Sequence, residues 1–98
     1  MTVPVFLTAE AEADLEEAAI WYEQRADGLG IDLIARVRQS IMAIGTAPDS
    51  FQEVQVGIRR AQVKRFPYGL FFRRQGGIVE VIGILHHRRS PTAWKRRV

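Results

Sequence analysis

The spacing of apolar residues changes part-way along this chain, and that change limits the folds open to it. Up to Gly45 the apolar positions recur every three or four residues. From residue 54 onward they alternate or run almost continuously. The first pattern is that of helices with one buried stripe, the second that of strands. Ala11, Leu15, Ala18 and Tyr22 form one stripe and predict a helix from about Ala9 to Arg25. Thr8 offers a hydroxyl cap ahead of it. Glu10, Glu12, Asp14, Glu16 and Glu17 suit its positive end. Asp27-Gly28-Leu29-Gly30 is a turn signal. Ile34, Val37, Ile41 and Ile44 predict a second helix from about Ile31 to Gly45, and Pro48 prevents its resumption.

Strands flank this pair. Val3 to Leu7 reads as a short strand, which Pro4 confines to a sheet edge or makes its first residues, because proline has no N–H to donate. Ile58 to Phe66 predicts a strand with Ala61, Val63 and Arg65 on one face and Arg60, Gln62 and Lys64 on the other. Phe66-Pro67-Tyr68-Gly69 marks a bend, Leu70 to Arg74 a further strand, and Gln75-Gly76-Gly77 a tight hairpin. The aliphatic run from Ile78 to His87 suits a central strand. Ser90-Pro91-Thr92 breaks it, ahead of a helical turn within Thr92 to Val98. The order implies an α+β fold: an N-terminal strand, an antiparallel helical hairpin, a three-stranded antiparallel meander and a short C-terminal helical turn. The helices then cover one sheet face, and the arginines occupy the other face or its rim.

At 98 residues there is room for one domain. The absence of cysteine excludes a disulfide framework, a thiolate metal site and a cysteine nucleophile. No apolar run is long enough to cross a bilayer. Met1-Thr2-Val3-Pro4 has no basic leader region, so a cytoplasmic location without membrane contact is expected.

Charge is distributed unevenly. Residues 1–53 hold ten of the eleven acids and three arginines, a balance of −7. Residues 54–98 hold eleven bases and one acid, Glu80, a balance of +10. Twelve of the fourteen bases are arginine, whose planar fork suits phosphates and carboxylates. Two readings fit: an anionic partner for the basic half, or neutralisation of one half by the other across the fold.

His86-His87-Arg88-Arg89 is the sharpest polar feature. Adjacent strand residues face opposite ways, so the two histidines are poorly placed to chelate one metal, and no metal or cofactor is expected. One histidine beside arginines suits general acid–base work on a phosphodiester, with the cations stabilising the developing charge. The plainer reading has that histidine hydrogen-bonded at a strand end and the arginines paired with helix carboxylates. Trp94 among Lys95, Arg96 and Arg97 fits either base stacking or, preferably, anchoring of the C-terminal segment. Arg73-Arg74 is a second basic pair. No Walker loop, dinucleotide fingerprint or nucleophile motif is present.

Three segments together resemble the C-terminal half of the RelE/ParE toxin superfamily. They are Phe66-Pro67-Tyr68-Gly69-Leu70-Phe71-Phe72-Arg73, then Ile78 through His86-His87-Arg88-Arg89-Ser90-Pro91, then Trp94 and Arg97. The helical hairpin ending in Ala47-Pro48 resembles the N-terminal half. The resemblance implies the toxin of a bacterial type II toxin–antitoxin module with a cognate antitoxin as partner. It also implies one of two targets: DNA gyrase, for ParE-like members, or mRNA on the ribosome, for RelE-like endonucleases. Those nucleases usually carry an arginine after the tyrosine of the aromatic strand, and here that position is Gly69. They also commonly carry a late tyrosine or histidine near the C-terminus; this chain has no tyrosine after Tyr68, and its late histidines, His86 and His87, sit at the strand end, as in ParE-like members. Both departures favour the ParE-like branch, which needs no catalytic residue of its own. On the nuclease reading, His87, Arg73 and Arg88 would carry the chemistry. The partner-binding residues expected are Arg73, Arg74, His86, His87, Arg88, Arg89, Trp94 and Arg97. A plain basic nucleic-acid-binding module is a third reading.

Overall fold

A computed structural model of the chain describes residues 2–89 and 91–98. Ser90 of the His-His-Arg-Arg-Ser-Pro run lies outside the described residues, and the strand before it ends at His86. Thr8 caps α1 (Ala9–Arg25) as its position suggests: its Oγ1 accepts the Ala11 N–H at 3.1 Å. The turn into α2 (Leu29–Thr46) is closed from the preceding helix. Glu23 accepts the N–H groups of Gly28 and Gly30 at 2.8 and 3.0 Å, which satisfies donors at a helix start that has no side-chain cap of its own. Gly28 sits at φ 86°, in the left-handed region.

The two helices approach closely at Gly30. A Cβ there would lie 2.4 Å from the Ala19 carbonyl oxygen, a rigid backbone atom. Gly30→Ala is therefore expected to prise the hairpin apart at a cost of about 1–3 kcal/mol. Thermal denaturation checks this, with Gly77→Ala as the comparison. The space around Gly77 is open, so that variant should stay within about 0.5 kcal/mol of the parent.

The strands are β1 (Val5–Leu7), β2 (Gln52–Gln55), β3 (Ile58–Gln62), β4 (Tyr68–Gln75) and β5 (Ile78–His86). They form one sheet in the order β1-β5-β4-β3-β2. β1 is an edge strand, as Pro4 predicts, and it pairs in parallel with β5. The other pairings are antiparallel. The meander thus has four strands rather than three. The additional one, β2, reaches β3 through a turn in which Gly57 adopts φ 81°. β3 ends at Gln62, earlier than expected. Its side-chain amide donates to the Val63 and Phe66 carbonyls at 2.9 and 3.0 Å and so folds the chain into a loop. Arg65 lies in that loop at φ 68°, not on the strand face with Ala61 and Val63.

The principal core lies between the helices and one sheet face. Ala11, Ala18, Leu33, Val37 and Ile44 meet Leu70, Phe72, Val79, Val81 and Ile84 there. A smaller core occupies the opposite face, where Ile58, Ile82, Leu85 and Trp94 cluster beneath α3 (Thr92–Lys95). A bulge allows β5 to serve both. The register slips between Phe71 and Phe72, so that Phe71 pairs with Gly83 and Phe72 with Val81. Ile84 therefore joins Val79 and Val81 on the helix side. Among the described residues, no helix is long and apolar enough to cross a membrane.

Candidate partner-binding site

The C-terminal end of β5 gathers His86, His87, Arg88 and Arg89, on two faces, while Arg73 and Arg74 lie at the far end of β4. Tyr68 and His86 are cross-strand partners with ring centroids 5.2 Å apart. Tyr22 of α1 lies 6.1 Å from Tyr68 and stands edge-on to Trp21. Ala18, Trp21, Tyr22, Tyr68 and Ile84 line a cleft of about 420 Å³ between α1 and this strand end. Its rim is polarised. Asp14 and Glu17 lie on the helix side, and Arg88 and Arg89 on the strand side. Burial raises the Tyr68 phenol above its ordinary pKa, Tyr22 and Glu17 add to the effect, and Arg89 opposes it. Tyr68 is therefore a neutral hydroxyl near neutral pH and an unsuitable base.

His86 is committed to the turn that follows it. Its Nδ1 accepts the Arg88 N–H at 3.0 Å, and its carbonyl accepts from the Arg89 N–H at 2.9 Å. His87 is exposed and lines a pocket on the other sheet face, with Arg60, Arg89 and Lys95.

Arg97 is an internal brace. Its guanidinium forks onto both oxygens of Asp14, with Nη2 3.1 Å from Oδ1, and donates to the Ile82 carbonyl at 3.0 Å. Asp14 also accepts the Ile84 N–H at 3.0 Å. Gly83 makes room for this, since a Cβ there would lie 3.0 Å from the guanidinium. The hydrogen bonds to Asp14 raise the pKa of Arg97 above its ordinary value despite burial. Trp94 is likewise internal: it is 5% exposed and stacks on Phe71 at 5.4 Å with an interplanar angle of 17°. Both side chains are largely engaged within the fold, and Trp94 also lines the pocket on that sheet face. Trp94 anchors α3, as the plainer reading had it.

Arg73 pairs with Glu80 at 2.9 Å, and Arg74 with Asp49 at 3.0 Å. Arg59, unremarked in the sequence, donates to the Phe51 carbonyl and reaches Glu53 at 3.2 Å. Neutralisation of one half by the other thus holds for part of the chain. Arg59, Arg73, Arg74 and Arg97 are neutralised internally. Among the described residues, Arg60, Arg65, Arg88, Arg89 and Arg96 form no ion pair with a carboxylate.

The family model described as ParE toxin of type II toxin-antitoxin system, parDE, matches residues 5–91. The chain belongs to the ParE toxin family. Among solved structures, it resembles a chain of the chromosomal ParDE toxin–antitoxin system from P. aeruginosa. The TM-score is 0.74 at 17% identity, covering 87% of this chain and 96% of that one. At that identity the likeness concerns the fold. No curated protein matches the chain.

The nuclease set proposed from the sequence is not assembled in this ParE family member. Arg73 is five residues beyond Tyr68 along β4, about 17 Å from the His86 end at roughly 3.3 Å per residue. His87 and Arg88 remain near that end, while Arg73 is held by Glu80. No cluster of potential metal ligands occurs among the described residues.

Proposed function

We propose that this ParE family member inhibits DNA gyrase and is neutralised by a cognate antitoxin that occupies the cleft between α1 and the end of β5. The match to the ParE family model over residues 5–91 carries the reading. The cleft supplies its chemistry. An amphipathic helix can lay its apolar face on Ala18, Trp21, Tyr22 and Tyr68, while acidic residues beside it meet Arg88 and Arg89. Arg73, already neutralised by Glu80, contributes less than its place in the sequence suggested. In the cell, such a pair would be cytoplasmic.

The test uses purified gyrase and relaxed plasmid. Micromolar toxin is expected to block supercoiling, and stoichiometric antitoxin to restore it. Undiminished supercoiling, together with message cleavage on programmed ribosomes, would transfer the activity to the RelE-like branch. For the antitoxin contact, Arg88→Glu is expected to slow association about tenfold at low salt, with a smaller effect at high salt. Stopped-flow mixing measures this, and an unchanged rate removes Arg88 from the contact.

A further inference from the structure

On the sheet face away from the α1–α2 hairpin lies a pocket of about 260 Å³, closed on one side by α3. Phe71 and Leu85 line it as apolar surface, and Arg60, His87, Arg89 and Lys95 supply its charged and hydrogen-bonding groups. No carboxylate lines it. Among the described residues, none of these three cations pairs with one elsewhere. The aliphatic stem of Arg60 crosses Gly69 so closely that a Cβ at Gly69 would lie 3.1 Å from it. The missing side chain therefore lets Arg60 lie low across the sheet.

We infer that this pocket is a binding site for a phosphate group, and that the phosphate is carried by a single-stranded nucleic acid. Three cations from β3, the β5–α3 segment and α3 converge on one concavity. Arginine forks donate two parallel hydrogen bonds to a phosphate, the lysine adds a point charge, and the imidazole of His87 adds a further polar contact. An acidic peptide fits less well. The backbone groups beneath the pocket are engaged in the β3–β4 and β4–β5 ladders, so a peptide main chain finds no strand edge there. A phosphodiester needs only the side-chain donors, and the apolar walls accept the face of a neighbouring base. The inference does not depend on gyrase being the target.

Titrating the purified full chain tests it, with side-chain NMR signals as the readout and three probes: inorganic phosphate, a twelve-residue oligothymidylate and a ten-residue oligoglutamate. Phosphate is expected to shift the Arg60, Arg89, His87 and Lys95 signals selectively. The oligonucleotide should compete with phosphate, bind more tightly, and weaken as salt rises with a log–log slope near −0.7 for each phosphate engaged. Arg60→Ala and Arg89→Ala should each weaken both probes about tenfold. Arg38→Ala, an exposed cation on α2, removes the same charge elsewhere and should leave affinity within about twofold of the parent. Equal losses in all three variants, shifts spread over every basic residue, or preferential displacement of phosphate by oligoglutamate overturns the assignment. Phosphate binding with no competition from the oligonucleotide rejects the nucleic-acid source.

Discussion

Asp14→Ala is expected to destabilise the domain by about 3 kcal/mol, near the low end for breaking a buried ion pair. At roughly 4–8 °C per kcal/mol for a domain of this size, the melting temperature should fall by about 12–24 °C. The side chains of Asp14 and Arg97 are only 12% and 14% exposed. Alanine at position 14 leaves the guanidinium with only the Ile82 carbonyl and the exposed Glu10 carboxylate, 3.7 Å from Nε, and also leaves the Ile84 N–H without its acceptor. Asp14→Asn separates the two effects: an amide oxygen can still accept from Ile84, but the charge is gone. Arg97→Ala should cost less than Asp14→Ala, because Asp14 then keeps the Ile84 bond and is free to draw in water. In the double variant the losses should fall short of additive by at least about 1 kcal/mol. The raised pKa of Arg97 makes its contribution present at neutral pH and lost only as pH climbs through that raised value. An alkaline scan to about pH 10 should therefore leave the Arg97→Ala deficit unchanged. A fall in melting temperature below about 4 °C for Asp14→Ala would show that the brace carries little of the fold.

This brace illustrates where a sequence reading stops. The helices were legible because burial imposes a stripe: Ala11, Ala18 and Val37 sit where the three–four spacing puts them. β1 was legible through Pro4, and the hairpin before β5 through Gly76-Gly77. β2 was not, because all four of its residues are exposed and it carries no alternating apolar pattern. Its only cue is Val56-Gly57 ahead of Ile58. The bulge at Ile82 hides inside an aliphatic run in which every residue type suits either face. Among the site residues, the sequence identified the basic cluster but not which arginines were already spoken for. Arg97 and Asp14 are 83 positions apart, and no local spacing connects them. Arg60 went unselected because nothing in the Ile58-Arg59-Arg60 run distinguishes it from Arg59, which the fold ties to Phe51 and Glu53. Its importance comes from Gly69 and α3, which only the folded sheet brings beside it.

The second core makes an equally sharp prediction. Trp94→Ala is expected to cost about 3 kcal/mol, the lower part of the range for a buried aromatic. The reason is structural. A helix of four residues has no stability of its own, so α3 stays in place through the Trp94 stack on Phe71 and the Arg97 brace one turn later. Removing the indole should free the segment as a unit. Hydrogen exchange should then speed up across α3 and at the Ile84 amide, while protection in the α1–α2 hairpin remains. Freed from its anchor, Arg97 no longer holds Asp14 firmly, so Trp94→Ala and Asp14→Ala should be less than additive in combination. Trp94→Phe, which keeps a ring over Phe71, should recover most of the loss. Phe6→Ala sets the baseline: that ring is 56% exposed, and its loss should cost under about 0.5 kcal/mol. If Trp94→Ala matched Phe6→Ala, the indole would be idle in the fold and open to a partner after all. If instead exchange rose evenly over both cores, α3 would be integral to a single cooperative unit, and Lys95 could not leave the phosphate pocket without unfolding the sheet beneath it.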